Sequence, residues 1–383
     1  MDDCIQVLPI TASHVVAVPY PGRGHVNPMM NLCKLLLSKN SDILVSFVVT
    51  EEWLGFIGSE PKPDNIGFAT IPNVIPSEHG RASDFVGFFE SVMTKMEAPF
   101  EELLHRLQPL PTLIIYDTYL FWVVRVANSR NIPVASFWPM SASVFAVFKH
   151  YHLLQQNGHY PAYVVQMFAT EDGEKRVDYI PGNSSIRLAD FPLNDENWRS
   201  RKLLELALNV IPWVQKAQYL LFPSIYELEP QAIDALKSEL SIPIYTVGPV
   251  IPYFGNGHID FSNFADHELG YFQWLENQPS GSVLYISQGS FLSVSNEQID
   301  EIAAGVRESG VRFLWVQRGE NDRLKDICGD KGLVLQCDEV RDMRKRSREL
   351  KQLCHGAIAS GGSSETNIND FLSHVLQGAK PEL

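Results

Sequence analysis

An α/β fold of two parallel-sheet domains, the second one shortened, is predicted by three observations. Short β-branched runs alternate with helix-period segments through most of the chain, the mark of βαβ units on a parallel sheet. At about 100–200 residues per domain, a chain of 383 residues suits two domains better than one. Between residues 248 and 268 the alternation lapses into "GPVIPYFGNGHIDFSNFADHE", rich in Gly, Pro and Asn, which reads as an interdomain linker.

Taken in order, "HVVAVP" (14–19), "ILVSFVV" (43–49), "IGFATIP" (66–72), "TLIIYD" (112–117) and "IPVASFW" (132–138) read as strands, with helices over 26–38, 84–107 and 119–130. "YLLFPS" (219–224), a helix near 226–238 and "PIYTVG" (243–248) complete a first domain over residues 1–247. After the linker, "SVLYIS" (282–287), a helix with Ile299, Ile302, Ala303 and Val306 on one face, "RFLWVQ" (312–317) and "GLVLQ" (332–336) open a second domain, assigned to 269–383 with a last helix at 368–377. About three strands make a parallel sheet too small to cover its own edge, so this domain reads as incomplete.

Hydrophobic residues are 45% of the chain and charged ones 20%, the balance of a globular protein. A formal charge of −14 opposes phosphate backbones and anionic lipid, which argues against a nucleic-acid partner. The one basic run, "RDMRKRSRELK" (341–351), has Val340, Met343, Leu350 and Leu353 at near-helical spacing and reads as a solvated helix face. Five scattered cysteines without a C-x-x-C pair suit buried thiols in a reducing compartment and no structural zinc. "MDDCIQVLPITAS" (1–13) lacks a basic n-region, and the most apolar stretch (134–148) is too short and too interrupted to span a bilayer, so the expected location is cytoplasmic. The oligomeric state is left open.

The loop "VPYPGRGHVNPMMNL" (18–32) admits three readings. Gly22-x-Gly24 after a strand resembles the start of a dinucleotide fingerprint, with Glu51 or Glu52 where a ribose-binding acid sits, but Asn27 replaces the third glycine. His25 is otherwise an ordinary first-turn residue, with Pro28 where a helix tolerates proline. Asp117 adds a third reading. It ends "TLIIYD", and His25 follows the end of "HVVAVP", so both open onto the crevice beyond the strand ends of a parallel sheet. A carboxylate there fixes an imidazole tautomer and makes a base of it, although a strand-end Asp also serves as a turn or cap residue.

Four segments, "PYPGRGHVNPMMNLCKLL", "LIIYDTYLFW", "SVLYISQGSFLSVSNEQIDEIAAGVRESGVRFLWV" and "GAIASGGSSETNINDFL", together resemble the plant family of UDP-dependent glycosyltransferases acting on small molecules. The resemblance runs from about residue 14 to 336 and from about 340 to 377, with the motifs in the family's order. It implies the GT-B fold, two Rossmann-like domains facing across a cleft. It also implies inverting transfer of a hexose, usually glucose, from a UDP-sugar to a hydroxyl of a lipophilic acceptor such as a flavonoid. The UDP-sugar is then a co-substrate, with no further cofactor and no metal. Carried over by position, the catalytic pair is His25 and Asp117. The donor side takes Gly24 and, in "SQGS", Ser290, where the family more often has Phe in place of Gln288. Phe121, Trp138, Met140 and Ser141 line the acceptor side, or simply pack in the core.

The chain departs from the family where a donor-binding box should follow "GLVLQ": a uracil-stacking Trp, a His-Cys-Gly-Trp-Asn-Ser run, a Glu and an Asp-Gln pair. Here that segment runs straight into "CDEVRDMRKRS" (337–347). "LCHGAIASGGSSETN", with His355, Gly356, Ser364 and Glu365, matches the family's C-terminal region and not the box. The expectation is an internally shortened member that binds UDP-sugar poorly. A non-catalytic small-molecule binder or regulatory isoform is the first alternative, and an NAD(P)-dependent oxidoreductase resting on Gly22-x-Gly24 and Glu51 is the second.

Overall fold

The computed structural model describes residues 13–81, 83–159, 176–183, 186–187, 198–251, 274–275, 277–287, 295–316 and 349–378. Two compact units divide the chain: residues 1–254 with 354–383, and residues 255–353.

The first unit is built on seven strands: β1 (His14–Val18), β2 (Leu44–Thr50), β3 (Ile66–Ile71), β4 (Leu113–Asp117), β5 (Val134–Phe137), β8 (Tyr219–Phe222) and β9 (Ile244–Thr246). A separate antiparallel pair, β6 (Arg176–Val177) and β7 (Ile186–Arg187), falls between β5 and β8 in the chain. The sheet order is β3-β2-β1-β4-β5-β8-β9, every neighbouring pair parallel. The chain therefore winds outward one way from β1 and the other way from β4. The seam between β1 and β4 is the topological switch point, where ligands enter such sheets beyond the strand ends.

The strands are legible because both faces are covered, which makes them nearly continuous apolar runs. Successive residues turn to opposite faces: Val16, Val18, Ile114 and Tyr116 enter one apolar cluster, Val15, Ala17, Leu113 and Ile115 the other. On the first face pack Phe88 and Phe100 of the helices α3 (Phe85–Lys95) and α4 (Glu97–Arg106), Trp122 of α5 (Trp122–Asn128) and Phe145 of α6 (Ala142–Lys149). On the second pack Met29, Leu32, Cys33 and Leu36 of α1 (Arg23–Lys39) and Trp53 of α2 (Glu51–Ile57).

The helix expected over 84–107 is two helices parted at Met96. Pro99 has no N–H to offer the carbonyl one turn back, so the hydrogen-bond ladder restarts with Glu97 in the first turn of α4. The closing helix, Ser363–Gly378, also differs from expectation. The sequence reading gave 269–383 to the second domain, yet this helix packs on the β8–β9 end of the first sheet, Phe371 lying 5.5 Å from the Tyr219 ring and 5.6 Å from the Tyr245 ring. Asn367 donates to the Thr246 carbonyl and hydroxyl at 3.2 and 2.8 Å, and Lys39 meets Glu365 at 3.2 Å. Its stripe of Ile368, Phe371, Leu372 and Val375 needs an apolar partner, and the end of the sheet needs cover.

The second unit, within the described residues, is one βαβ unit: β10 (Val283–Ser287), the helix Asn296–Ser309 and β11 (Arg312–Val316), the strands parallel. Ser295 and Gln298 form a capping box at the start of the helix, and Gly310 at φ 63° closes it in the left-handed region. Ser290, "GLVLQ" (332–336), the linker beyond residue 251 and the basic run up to residue 348 lie outside the described residues. Among those described, no helix is long and apolar enough to cross a membrane.

Candidate active site

β1 and β4 run parallel with Val18 opposite Tyr116, so their C-terminal ends open at the same edge of the sheet. Past β1 the chain turns through Tyr20 to Gly22, which caps α1, and His25 falls in the first turn of that helix. Asp117 is the last residue of β4. The two side chains meet: His25 Nδ1 stands 2.7 Å from Asp117 Oδ2.

Asp117 is wholly buried, and a buried carboxylate is tolerated only where its oxygens find donors. Oδ2 accepts a hydrogen bond from the imidazole Nδ1–H and Oδ1 accepts from the Tyr119 backbone N–H at 3.1 Å. The carboxylate only accepts, so the ring proton sits on Nδ1 and Nε2 keeps its lone pair. The His25 side chain is 25% exposed. Asp117 is thus the anchor and the imidazole the working end.

Aromatic rings hold the imidazole in place. Its centroid lies 4.8 Å from that of Tyr20 and 6.0 Å from that of Tyr119, and Tyr119 in turn packs on Phe89 and Trp138 at 5.4 and 5.6 Å. Burial pushes the Tyr20 and Tyr119 hydroxyls up, Tyr20 despite the opposing pull of Arg81, so both stay neutral.

The other residues named from sequence are placed as follows. Gly24 is exposed in the first turn of α1, and a Cβ there would touch nothing within 4 Å. Trp138 is fully buried, its indole N–H donating to the Ser141 carbonyl at 3.1 Å. The Ser141 hydroxyl caps α6 by accepting from the Val144 N–H at 3.2 Å. Met140 is half-buried against the first apolar cluster, and Phe121, also half-buried, stacks obliquely on Trp213 at 5.4 Å. Tyr119 therefore links the His25–Asp117 pair to Trp138, whereas the ring contact of Phe121 is to a different neighbour. Among the described residues no group of His, Cys, Asp and Glu is arranged to hold a metal ion.

Glu52, weighed as a ribose-binding acid, is engaged otherwise. Its carboxylate accepts from the Ser77 hydroxyl and from the Glu78 N–H, fixing the loop after β3. The sequence reading did not single out Tyr20 or Tyr119, although each lies within five residues of His25 or Asp117.

No protein-family model matches the chain. Curated relatives do. UDP-glycosyltransferase 87A1 of Arabidopsis thaliana is 48% identical over 367 residues, covering 94% of this chain and 78% of the relative. UDP-glycosyltransferase 87A2 of the same plant is 48% identical over 370 residues, covering 95% and 76%. A 7-deoxyloganetin glucosyltransferase of Catharanthus roseus is 30% identical over 389 residues, covering 94% and 76%. Among solved structures, a UDP-glucose:anthocyanidin 3-O-glucosyltransferase in complex with UDP matches with a TM-score of 0.73 at 18% identity, over 96% of this chain and 99% of that one. Phytolacca americana UGT2 complexed with UDP-2-fluoro-glucose and pterostilbene matches with a TM-score of 0.71 at 20% identity, over 96% and 100%. At those identities the likeness bears on the fold, which is GT-B. With 48% identity to two curated relatives across nearly its whole length, the chain belongs to the plant UDP-glycosyltransferases.

Proposed function

We propose that His25 is the general base of an inverting transfer that moves a hexose, glucose foremost, from a UDP-sugar to the hydroxyl of a small lipophilic acceptor such as a flavonoid or another phenol. The observation that carries this reading is the 2.7 Å contact from His25 Nδ1 to the buried Asp117, which leaves Nε2 as the proton acceptor. Nε2 takes the hydroxyl proton, the acceptor oxygen bonds to the anomeric carbon, and the bond from that carbon to the diphosphate oxygen breaks with its electrons going to UDP.

A phenol of pKa about 10 giving its proton outright to an imidazole of about 6.5 is uphill by roughly 5 kcal/mol. Coupling the proton's departure to attack avoids that full cost, and Asp117 stabilises the imidazolium as it forms. On the donor side, the first-turn amides of α1 around Gly24 and the hydroxyl of Ser290 are the groups assigned to the sugar-phosphate. Half-buried Phe121, Met140 and Ser141, with the buried Trp138, are assigned to the acceptor side. The setting proposed is the cytosol.

The missing donor box favours a second reading. Without the residues that the family uses for uracil, ribose and sugar, the chain binds UDP-sugar weakly and serves as a small-molecule binder or regulatory isoform. Incubation with UDP-glucose and a panel of phenols, read by mass spectrometry, separates the two. Product that disappears in His25→Ala supports catalysis, product that survives it removes His25 as the base, and acceptor binding without product supports the binder. Calorimetry is expected to show UDP binding far weaker than acceptor binding, and tight UDP binding would contradict the part given to the box.

A further inference from the structure

Among the described residues, an acidic and a basic side chain are buried near the β1–β4 seam, and the reading above uses only the acidic one, Asp117. The other is Arg81, from the loop after β3, with its side chain 8% exposed. We infer that Arg81, held by Glu78, is a positioning residue for His25 that braces the Tyr20–Gly22 turn on which the imidazole is presented. This rests on the proposed role of His25.

The geometry converges on Gly22. Arg81 Nη1 is 3.1 Å from Glu78 Oε1 and donates to the Pro21 carbonyl at 3.4 Å, while the guanidinium lies over the Phe88 ring at 5.8 Å. A Cβ placed on Gly22 would stand 2.9 Å from Arg81 Nη1, 3.5 Å from His25 Cδ2 and 3.7 Å from Tyr20 Cδ1. The guanidinium therefore takes the space that a Cβ at residue 22 would need, with the imidazole and the Tyr20 ring at ordinary contact distance around it. Gly22 itself is extended, at φ 176°, so the glycine serves close approach and not an unusual backbone.

A buried guanidinium is costly unless paired, and here Glu78 offsets its charge. With that charge balanced beside the imidazole, Arg81 acts on His25 through position. Both contacts run from one nitrogen, Nη1, while the rest of the planar guanidinium lies over the Phe88 ring, a flat packing that the ammonium of lysine does not reproduce. Removing the brace frees the turn, and a displacement of about 1 Å at a base lowers the rate by up to a hundredfold.

The test is Arg81→Gln and Arg81→Lys in the full chain, with cooperative thermal melting as the folding control. Imidazole nitrogen NMR reads the His25 ring, its signals assigned by their loss in His25→Asn, and phenol transfer from UDP-glucose reads rate. The expected result is a shifted or broadened His25 Nδ1 signal in both variants, with kcat down tenfold to a hundredfold, acceptor KM within threefold, and no rescue by lysine. Gly22→Ala, which crowds Arg81 from the turn side, should disturb the same signal and stands in if Arg81→Gln does not fold. A His25 signal unchanged in the folded variants overturns the inference. Absence of transfer in the unsubstituted chain counts instead against the role of His25 as base, leaving the NMR result to decide on Arg81.

Discussion

Asp117→Asn tests the His25–Asp117 pair most directly, because the amide nearly matches the carboxylate in size but reverses the logic of its hydrogen bond. Asp117 lies at 0% exposure, so no water replaces what is lost. The carboxylate places a full negative charge beside the ring that becomes imidazolium. A unit charge pair at about 4 Å, with an effective dielectric near 20, is worth about 4 kcal/mol, or roughly a thousandfold in rate. The tautomer adds to this. Asp117 Oδ1 is held by the Tyr119 N–H, so an amide keeping its oxygen there turns its NH₂ toward His25 Nδ1. Nδ1 then becomes an acceptor and the proton moves to Nε2, where it blocks the base. The expected outcome is a loss of between a hundredfold and ten thousandfold in phenol transfer at saturating acceptor, with melting temperature little changed. Imidazole nitrogen NMR is expected to show the proton on Nδ1 in the unsubstituted chain and on Nε2 in the variant. A variant that keeps its rate within fivefold, or a ring that keeps its proton on Nδ1, would refute the reasoning.

Three further outcomes follow from the packing. Phe371→Ala empties a fully buried site between Tyr219 and Tyr245 and is expected to lower stability by about 3–5 kcal/mol in denaturant titration. His14 donates from Nδ1 to the Pro109 carbonyl and meets the Ser46 hydroxyl through Nε2, and burial holds its pKa below 6.5, that carbonyl pulling weakly the other way. The unfolded chain therefore binds this proton more readily than the folded one. The contribution of His14 is full above pH 6.5 and falls away as pH drops from there through the lowered folded value. His14→Asn should flatten that part of the stability profile, and an identical slope would be evidence against the assignment. Burial raises the Cys33 thiol to about 12, so iodoacetamide at pH 8 should leave it unmodified in peptide maps until the chain is unfolded.

The fold was legible where burial imposes a short period. "TLIIYD" anticipates β4 because a strand covered on both faces must be apolar throughout. The helix "EEWLGFI" was not, since seven residues with Gly55 inside give no run long enough for a helical period, and the Thr50 cap that starts it is a single side chain accepting from the Trp53 N–H. His25 and Asp117 were readable as a pair because each follows or ends a strand, and strand ends in a parallel sheet share an edge. Arg81 left no such trace. It lies 60 residues from the turn that it meets, in a loop whose approach is set by Glu52 binding Ser77 and Glu78, contacts that no local pattern encodes. The amphipathic stripe of the closing helix announced that it is buried, but a stripe does not name the sheet that it covers.

That last point bears on what the first unit needs in order to stay folded. Ile368, Phe371, Leu372 and Val375 are all buried against the second face of the first sheet, at roughly 1.5–3 kcal/mol for each such side chain. Their sum is of the same order as the whole stability of a domain, about 5–15 kcal/mol. Loss of the chain beyond residue 362 would strip that cover from Tyr219 and Tyr245 and leave Thr246 without its partner Asn367. A shortening placed inside residues 255–353 removes none of these contacts, because every residue that makes them lies outside that span. Residues 255–353 can thus be shortened while the packing of the first sheet around the β1–β4 seam keeps the contacts described above.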